Sequence, residues 1–204
     1  SKKKERLITS LNPIDARIRL INPNLLLVSE KPTNGITNIA LTLHLQTREL
    51  KNYFSNFLGT TLAVIGENKI LALTQNPRGE DGNNPYNLVI LDERGGITHT
   101  LDTITIPEKC TINNTGTYLY CAIPSGWSKE MPGLDLPDDY YKQGTDFTEK
   151  IYKIDLITFV ADEITTESRI QDAIHLSINE DGSKLYFHNR KDGYLYSLEI
   201  SSAQ

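Results

Sequence analysis

No run of apolar residues in this chain approaches the roughly 20 that a membrane-spanning helix needs. Excess positive charge is missing too. The 21 Lys and Arg stand against 26 Asp and Glu, a formal net charge of -5. That balance argues against a broad phosphate-binding surface, and so against nucleic acid as a partner. Cysteine is scarce: Cys110 and Cys121 are the only two, and they match no zinc spacing. A helical signature is also lacking. β-branched and aromatic residues run throughout, with no sustained 3.6-residue apolar stripe. The start, Ser1-Lys2-Lys3-Lys4-Glu5, has no apolar stretch after its lysines and does not read as a signal peptide. It reads as a trimmed or internal boundary, compatible with a signal or membrane tether missing from this chain.

What the chain has is repetition. Ser177–Ile200 reads as strand, tight polar turn, strand, charged turn, strand. Ile112-Asn113-Asn114-Thr115-Gly116-Thr117-Tyr118-Leu119-Tyr120-Cys121 has the same form: an apolar residue, a polar turn ending in glycine, then alternating apolar positions. More degenerate copies lie at Leu62–Leu73 and Ile18–Ser29. The turns begin near Asn22, Gly66, Asn113 and Asn179, at spacings of roughly 45, 47 and 66 residues, the last widened by an insertion. Third strands are expected at Asn38–Gln46, Asn87–Asp92, Lys150–Leu156 and Tyr194–Ile200. Fourth strands are expected near Glu49–Phe54, Ile97–Ile104 and Phe159–Ser168. Periods of about 40–50 residues with four short strands each predict an all-β fold, a β-propeller of about four four-stranded blades. The blades fall at about 17–56, 57–104, 105–168 and 169–204. The last is completed by an N-terminal strand, Arg6–Leu11, and the whole forms one domain or a propeller fragment. Three closures fit: a four-bladed ring, a half ring that dimerises, or part of a larger ring.

The C-terminal unit resembles the WD40-like repeat of the TolB propeller family. Asn179, Asp181, Gly182, Leu185, Phe187, Asn189, Arg190, Gly193, Leu195 and Tyr196 occupy the motif's places. The segment Leu136-Pro137-Asp138-Asp139-Tyr140-Tyr141-Lys142-Gln143-Gly144, leading to Ile151–Asp155, also resembles uncharacterised bacterial propellers, some tethered beside PEGA-type domains. The resemblance implies an extracytoplasmic protein of the bacterial cell envelope with protein partners.

Chemistry, where it exists, is expected on the face that holds the links between blades and the loops between second and third strands. Two long segments lie there, 75–86 and 124–149. Long loops in compact domains are functional or disordered, and aromatic–acidic loops are material for binding. The expected contacts are Trp127, Met131, Asp138, Asp139, Tyr140, Tyr141, Arg78 and Arg190. They point to a non-catalytic binding or scaffold module for a protein, peptide or glycan. The alternative is a hydrolase or lyase at the axial mouth, drawing on Asp81, Arg78, Asp138, Asp139, His188 and Arg190. No catalytic residue, metal or cofactor is assigned. Asp135, Asp138 and Asp139 match no EF-hand spacing, and Pro137 interrupts them. The histidines share no metal-binding spacing. Asn113-Asn114-Thr115 is a glycosylation sequon by pattern, but a hairpin turn accounts for it. The two cysteines are placed on one hairpin, diagonally offset, with Cα atoms about 7–8 Å apart and at the limit of disulfide reach. Two buried thiols are expected there, with a bridge as the alternative.

Overall fold

A computed structural model describes residues 7–9, 15–54, 58–75, 86–125, 135–142, 147–165 and 172–200. The strands group in chain order, each group an antiparallel sheet. Sheet 1 holds β1 (Arg17–Asn22), β2 (Leu25–Ser29), β3 (Ala40–His44) and β4 (Leu50–Asn52). Sheet 2 holds β5 (Leu58–Gly66), β6 (Lys69–Gln75), β7 (Tyr86–Leu91) and β8 (Ile97–Leu101). Sheet 3 holds β9 (Cys110–Ile112), β10 (Tyr118–Pro124), β11 (Glu149–Asp155) and β12 (Ala161–Glu163). Sheet 4 holds β13 (Ala173–Ile178), β14 (Lys184–Asn189) and β15 (Leu195–Glu199). The sheets stand as the blades of a β-propeller, as the repeat predicted. Of the expected closing strand, Leu7, Ile8 and Thr9 carry no strand pairing, and the rest lies outside the described residues.

The recurring hairpin turn has a physical cause. The Asn113 side-chain oxygen accepts the backbone N–H groups of Thr117 and Tyr118, both at 2.9 Å, and the Asn179 oxygen accepts that of Lys184 at 2.8 Å. Gly116 and Gly182 close these turns at φ of 71° and 75°, where a side chain would be strained. The Asn113 amide nitrogen is also engaged, donating to the hydroxyls of Thr115 and Thr117. The sequon residue is thus spent on the turn.

Middle strands are apolar on both faces because each middle sheet has two neighbours. Alternation sends Leu119 and Cys121 of β10 toward sheet 2, and Tyr120 and Ala122 toward sheet 4. Three apolar seams result. Ile21, Leu27 and Ala40 meet Ile70, Ala72, Val89 and Leu91 between sheets 1 and 2. Leu71, Leu73, Leu88 and Ile90 meet Leu119, Cys121 and Ile154 between sheets 2 and 3. Tyr120, Ala122 and Ile151 meet Leu176, Leu185 and Phe187 between sheets 3 and 4. Among the described residues each apolar seam joins sheets that are consecutive in the chain.

One expectation is corrected. Cys110 and Cys121 face each other directly across β9 and β10, with Cα atoms 4.2 Å apart, and they are bridged. The turn sets Ile112 opposite Leu119, and counting back two residues on one strand and forward two on the other pairs the cysteines. The diagonal offset was an error of register.

Candidate functional site

First strands begin, second strands end and third strands begin on one face of the propeller, so residues from all four sheets converge there. Glu149 opens β11, Lys109 ends a short 3-10 turn, Pro107–Lys109, that leads into β9, Asp172 precedes β13, and Arg190 follows β14. They meet as a buried ion cluster. The Lys109 ammonium lies 2.6 Å from Asp172 Oδ1 and 2.8 Å from Glu149 Oε1, and donates to the Ala173 carbonyl at 3.1 Å. Arg190 holds the other Asp172 oxygen through Nε at 2.8 Å and a terminal nitrogen at 2.7 Å. Glu149 Oε2 accepts the Ala173 N–H at 2.7 Å. Lys109 is 1% exposed and the Glu149 and Asp172 side chains are fully enclosed. Buried Lys109 and part-buried Arg190 therefore face two enclosed carboxylates. Such burial is tolerated only with close pairing and further hydrogen bonds. Burial pushes the Glu149 carboxyl up to about 7, against the pull of Lys109 and the Ala173 N–H and with a push from Asp172.

Over this cluster lies Asp135–Lys142, built on a cis Leu136–Pro137 bond and the single-turn helix α1 (Asp138–Tyr141). It reaches every sheet. The Leu136 N–H donates to the Tyr86 hydroxyl at 2.8 Å, at the start of β7. The Tyr141 hydroxyl donates to Glu108 Oε1 at 2.7 Å, and Arg17 of β1 donates to the same oxygen at 2.9 Å. Arg17 and Lys31 stand 5.5 and 5.8 Å from the Tyr141 ring centre. The Tyr140 carbonyl accepts from Arg190 at 2.9 Å. The Tyr140 and Phe147 rings each sit 5.3 Å from the Lys109 nitrogen. Burial, with the charge of Glu108, pushes the Tyr140 and Tyr141 phenols far up, so both stay protonated. The segment is a cap whose aromatics point down onto the ions.

The residues singled out in the sequence are placed as follows. Tyr140 is buried and Tyr141 half-buried, both turned toward the strand ends. Arg190 is part-buried against Asp172. Asp138 and Asp139 lie on the half-exposed side of α1. Asp139 accepts the Asp135 N–H and pairs with Lys142 at 2.6 Å; the Lys142 bond holds its carboxyl below the usual range. His188 lies near the end of β14, opposite Leu195 at the start of β15, and is not among the residues of the ion cluster. Trp127, Met131, Arg78 and Asp81 lie outside the described residues. The sequence reading did not single out Lys109, Glu149 or Asp172. Their one shared signal is phase within the repeat: each sits where a first or third strand begins.

The comparisons with known proteins agree with this architecture. No family model and no curated protein matches the chain. Solved structures do. A putative TolB from Agrobacterium tumefaciens is similar over 97% of this chain and 65% of its own, with a TM-score of 0.56 at 11% identity. An oligogalacturonate lyase from Vibrio parahaemolyticus is similar over 88% of this chain and 47% of its own, with a TM-score of 0.57 at 6% identity. An oligogalacturonate lyase in complex with manganese is similar over 95% and 56%, with a TM-score of 0.53 at 14% identity. The likeness is one of fold. The chain spans about half to two thirds of the length of these three proteins. No helix among the described residues is long and apolar enough to cross a membrane.

Proposed function

We propose that the chain is a non-catalytic binding or scaffold module that presents its capped face to a protein, peptide or glycan. One observation carries this reading: the charges of Lys109, Glu149 and Asp172 are spent on one another and enclosed beside Tyr140 and Phe147. A reacting site needs a group that touches substrate, and Lys109, Glu149 and Asp172 are enclosed. The cap instead offers a stable platform. Asp138 and Asp139 lie on its half-exposed side, and the sequence of segments 75–86 and 124–149 carries Arg78, Trp127 and Met131. Tyr140, Tyr141 and Arg190 hold the platform from beneath. Aromatic anchors beside charged groups are the material of protein recognition. An extracytoplasmic setting accords with the Cys110–Cys121 bridge, since disulfides persist in oxidising compartments. It also accords with the TolB-like neighbour. The formal net charge of -5 speaks against nucleic acid as partner.

The test is a screen of the purified chain on peptide and glycan arrays. Trp127→Ala, and Asp138→Ala with Asp139→Ala, are expected to lower the strongest signals at least tenfold with unchanged circular dichroism. Signals indifferent to both variants would overturn the reading. A second reading, a lyase or hydrolase, is favoured by one feature: Glu149, pushed up to about 7, has the proton affinity of a general acid or base. It predicts turnover of oligogalacturonate, followed by the ultraviolet absorbance of the unsaturated product and abolished by Glu149→Gln.

A further inference from the structure

The connection from β2 to β3 carries a reactive pair that the ion cluster and the cap do not use. Asn34-Gly35 is the one Asn-Gly step in the sequence. It fills the two central places of a tight turn, closed by the Ile36 N–H donating to the Thr33 carbonyl at 3.3 Å. Gly35 is exposed, at φ of 69°, and no atom lies within 4 Å of where its Cβ would be. Its N–H donates to the Gln75 side-chain oxygen at 3.2 Å. Other asparagines are engaged through their oxygens. Asn38 accepts the Thr60 N–H, Asn113 those of Thr117 and Tyr118, and Asn179 that of Lys184. The side chains of Asp181-Gly182 and Asp192-Gly193 are likewise spent, on the Ser183 and Tyr194 N–H groups. The Asn34 oxygen is buried and accepts no hydrogen bond.

We propose that Asn34 is a site of spontaneous deamidation, and that its conversion frees the β2–β3 turn from the start of β5. Asparagine is a chemically labile side chain, and here the nucleophile is the next residue's own backbone. The Gly35 nitrogen gives up its proton to solvent and bonds to Asn34 Cγ. The Cγ–Nδ2 bond breaks, and Nδ2 takes a proton from solvent and leaves as ammonia. Water then opens the cyclic imide at either carbonyl, leaving aspartate or isoaspartate. Water is the only co-reactant, and nothing is oxidised or reduced. The turn is fastened to β5 beside the cap. The Gly59 N–H donates to the Ile36 carbonyl at 2.9 Å, and Thr37 bridges Leu58. A Cβ on Gly59 would stand 3.5 Å from the Asn34 Cα and 3.6 Å from the Leu136 carbonyl oxygen, so turn and cap both approach that glycine. Isoaspartate lengthens the main chain of the turn by one methylene and shifts those fastenings. Aspartate puts a charged oxygen where the enclosed carbonyl has no donor, which is costly.

The experiment incubates the purified chain for weeks near neutral pH at body temperature, then digests it for mass spectrometry. Asn34 is expected to convert to aspartate and isoaspartate while Asn113 and Asn179 remain amides. Gly35→Ala, whose methyl group crowds the attacking nitrogen, is expected to slow the conversion at least tenfold. Circular dichroism verifies that this variant folds. Conversion in the urea-unfolded chain but not in the folded one would overturn the site, because the fold would then protect it. An unchanged rate in Gly35→Ala would overturn the assigned nucleophile. The isoaspartate fraction, separated by ion exchange, is expected to lose protection of the Gly59 amide from hydrogen exchange. Protection equal to that of the fresh chain would overturn the release of the turn.

Discussion

Sheet 3 meets its two neighbours by different physics. Toward sheet 2 it turns Leu119, Cys121 and Ile154 onto Leu71, Leu73, Leu88 and Ile90, an aliphatic seam extended by Leu136 and Phe147 of the overlying segments. Toward sheet 4 it offers Tyr120, Ala122 and Ile151, and the strand ends are pinned by Lys109 between Glu149 and Asp172. The aliphatic seam gains from area alone and tolerates changes that conserve volume. The ionic pin demands a specific partner for each charge and gains little over an apolar replacement of the whole set. One seam therefore supplies bulk stability. The other fixes how the fourth sheet and the cap sit against the third, and through Glu149 it gives the protein a response to pH toward neutrality.

Breaking the pin should have the largest effect. Lys109→Met leaves two enclosed carboxylates with one part-buried arginine, and the cost is about 3–5 kcal/mol in chemical unfolding. It should be greater at pH 8 than at pH 5, where Glu149 takes up a proton. Equal losses at both would place the damage in packing. Next comes the aliphatic seam. Leu119 is fully buried, and Leu119→Ala should cost about 2–5 kcal/mol with no pH dependence between 5 and 8. Appearance of such a dependence would merge the two seams into one unit.

A third measurement isolates Glu149. Its carboxyl is pushed up to about 7 in the fold from an ordinary 4.5, so the native state binds the proton more tightly than the unfolded chain. The contribution is whole below about pH 4.5 and is lost as pH rises toward 7. Thermal melts of Glu149→Gln should show a flatter profile than wild type across that window. An unchanged slope would locate the titration elsewhere. The smallest effect is local. Asn113→Ala removes the acceptor for two backbone N–H groups and should cost about 1 kcal/mol, with Asn179→Ala costing the same. Unequal losses would mean the two turns are not equivalent.

Legibility of the chain followed the range of its interactions. The turns at Asn113 and Asn179 were readable because an asparagine, a glycine and four or five backbone atoms make the whole unit. The strands were readable because alternation is local. The cysteines were placed on the right hairpin but in the wrong register, since one residue's slip in counting a turn moves every opposing pair. Lys109, Glu149 and Asp172 left no local mark. The lysine meets Asp172 across 63 residues of sequence, and each residue alone looks like any charged position at a strand end. The composition of 124–149 declared an aromatic, acidic loop. What Tyr140 and Phe147 cover, buried Lys109 and part-buried Arg190, was settled only by three other segments arriving there.

Read alone, the sequence determined the repeat, the strand order within each sheet and the face on which loops gather, because alternation and turn chemistry act over a few residues. Tertiary structure alone decided which charges are buried together and which way the cap's aromatics turn. Those depend on distances between segments far apart in the chain, and on how much water is excluded where they meet.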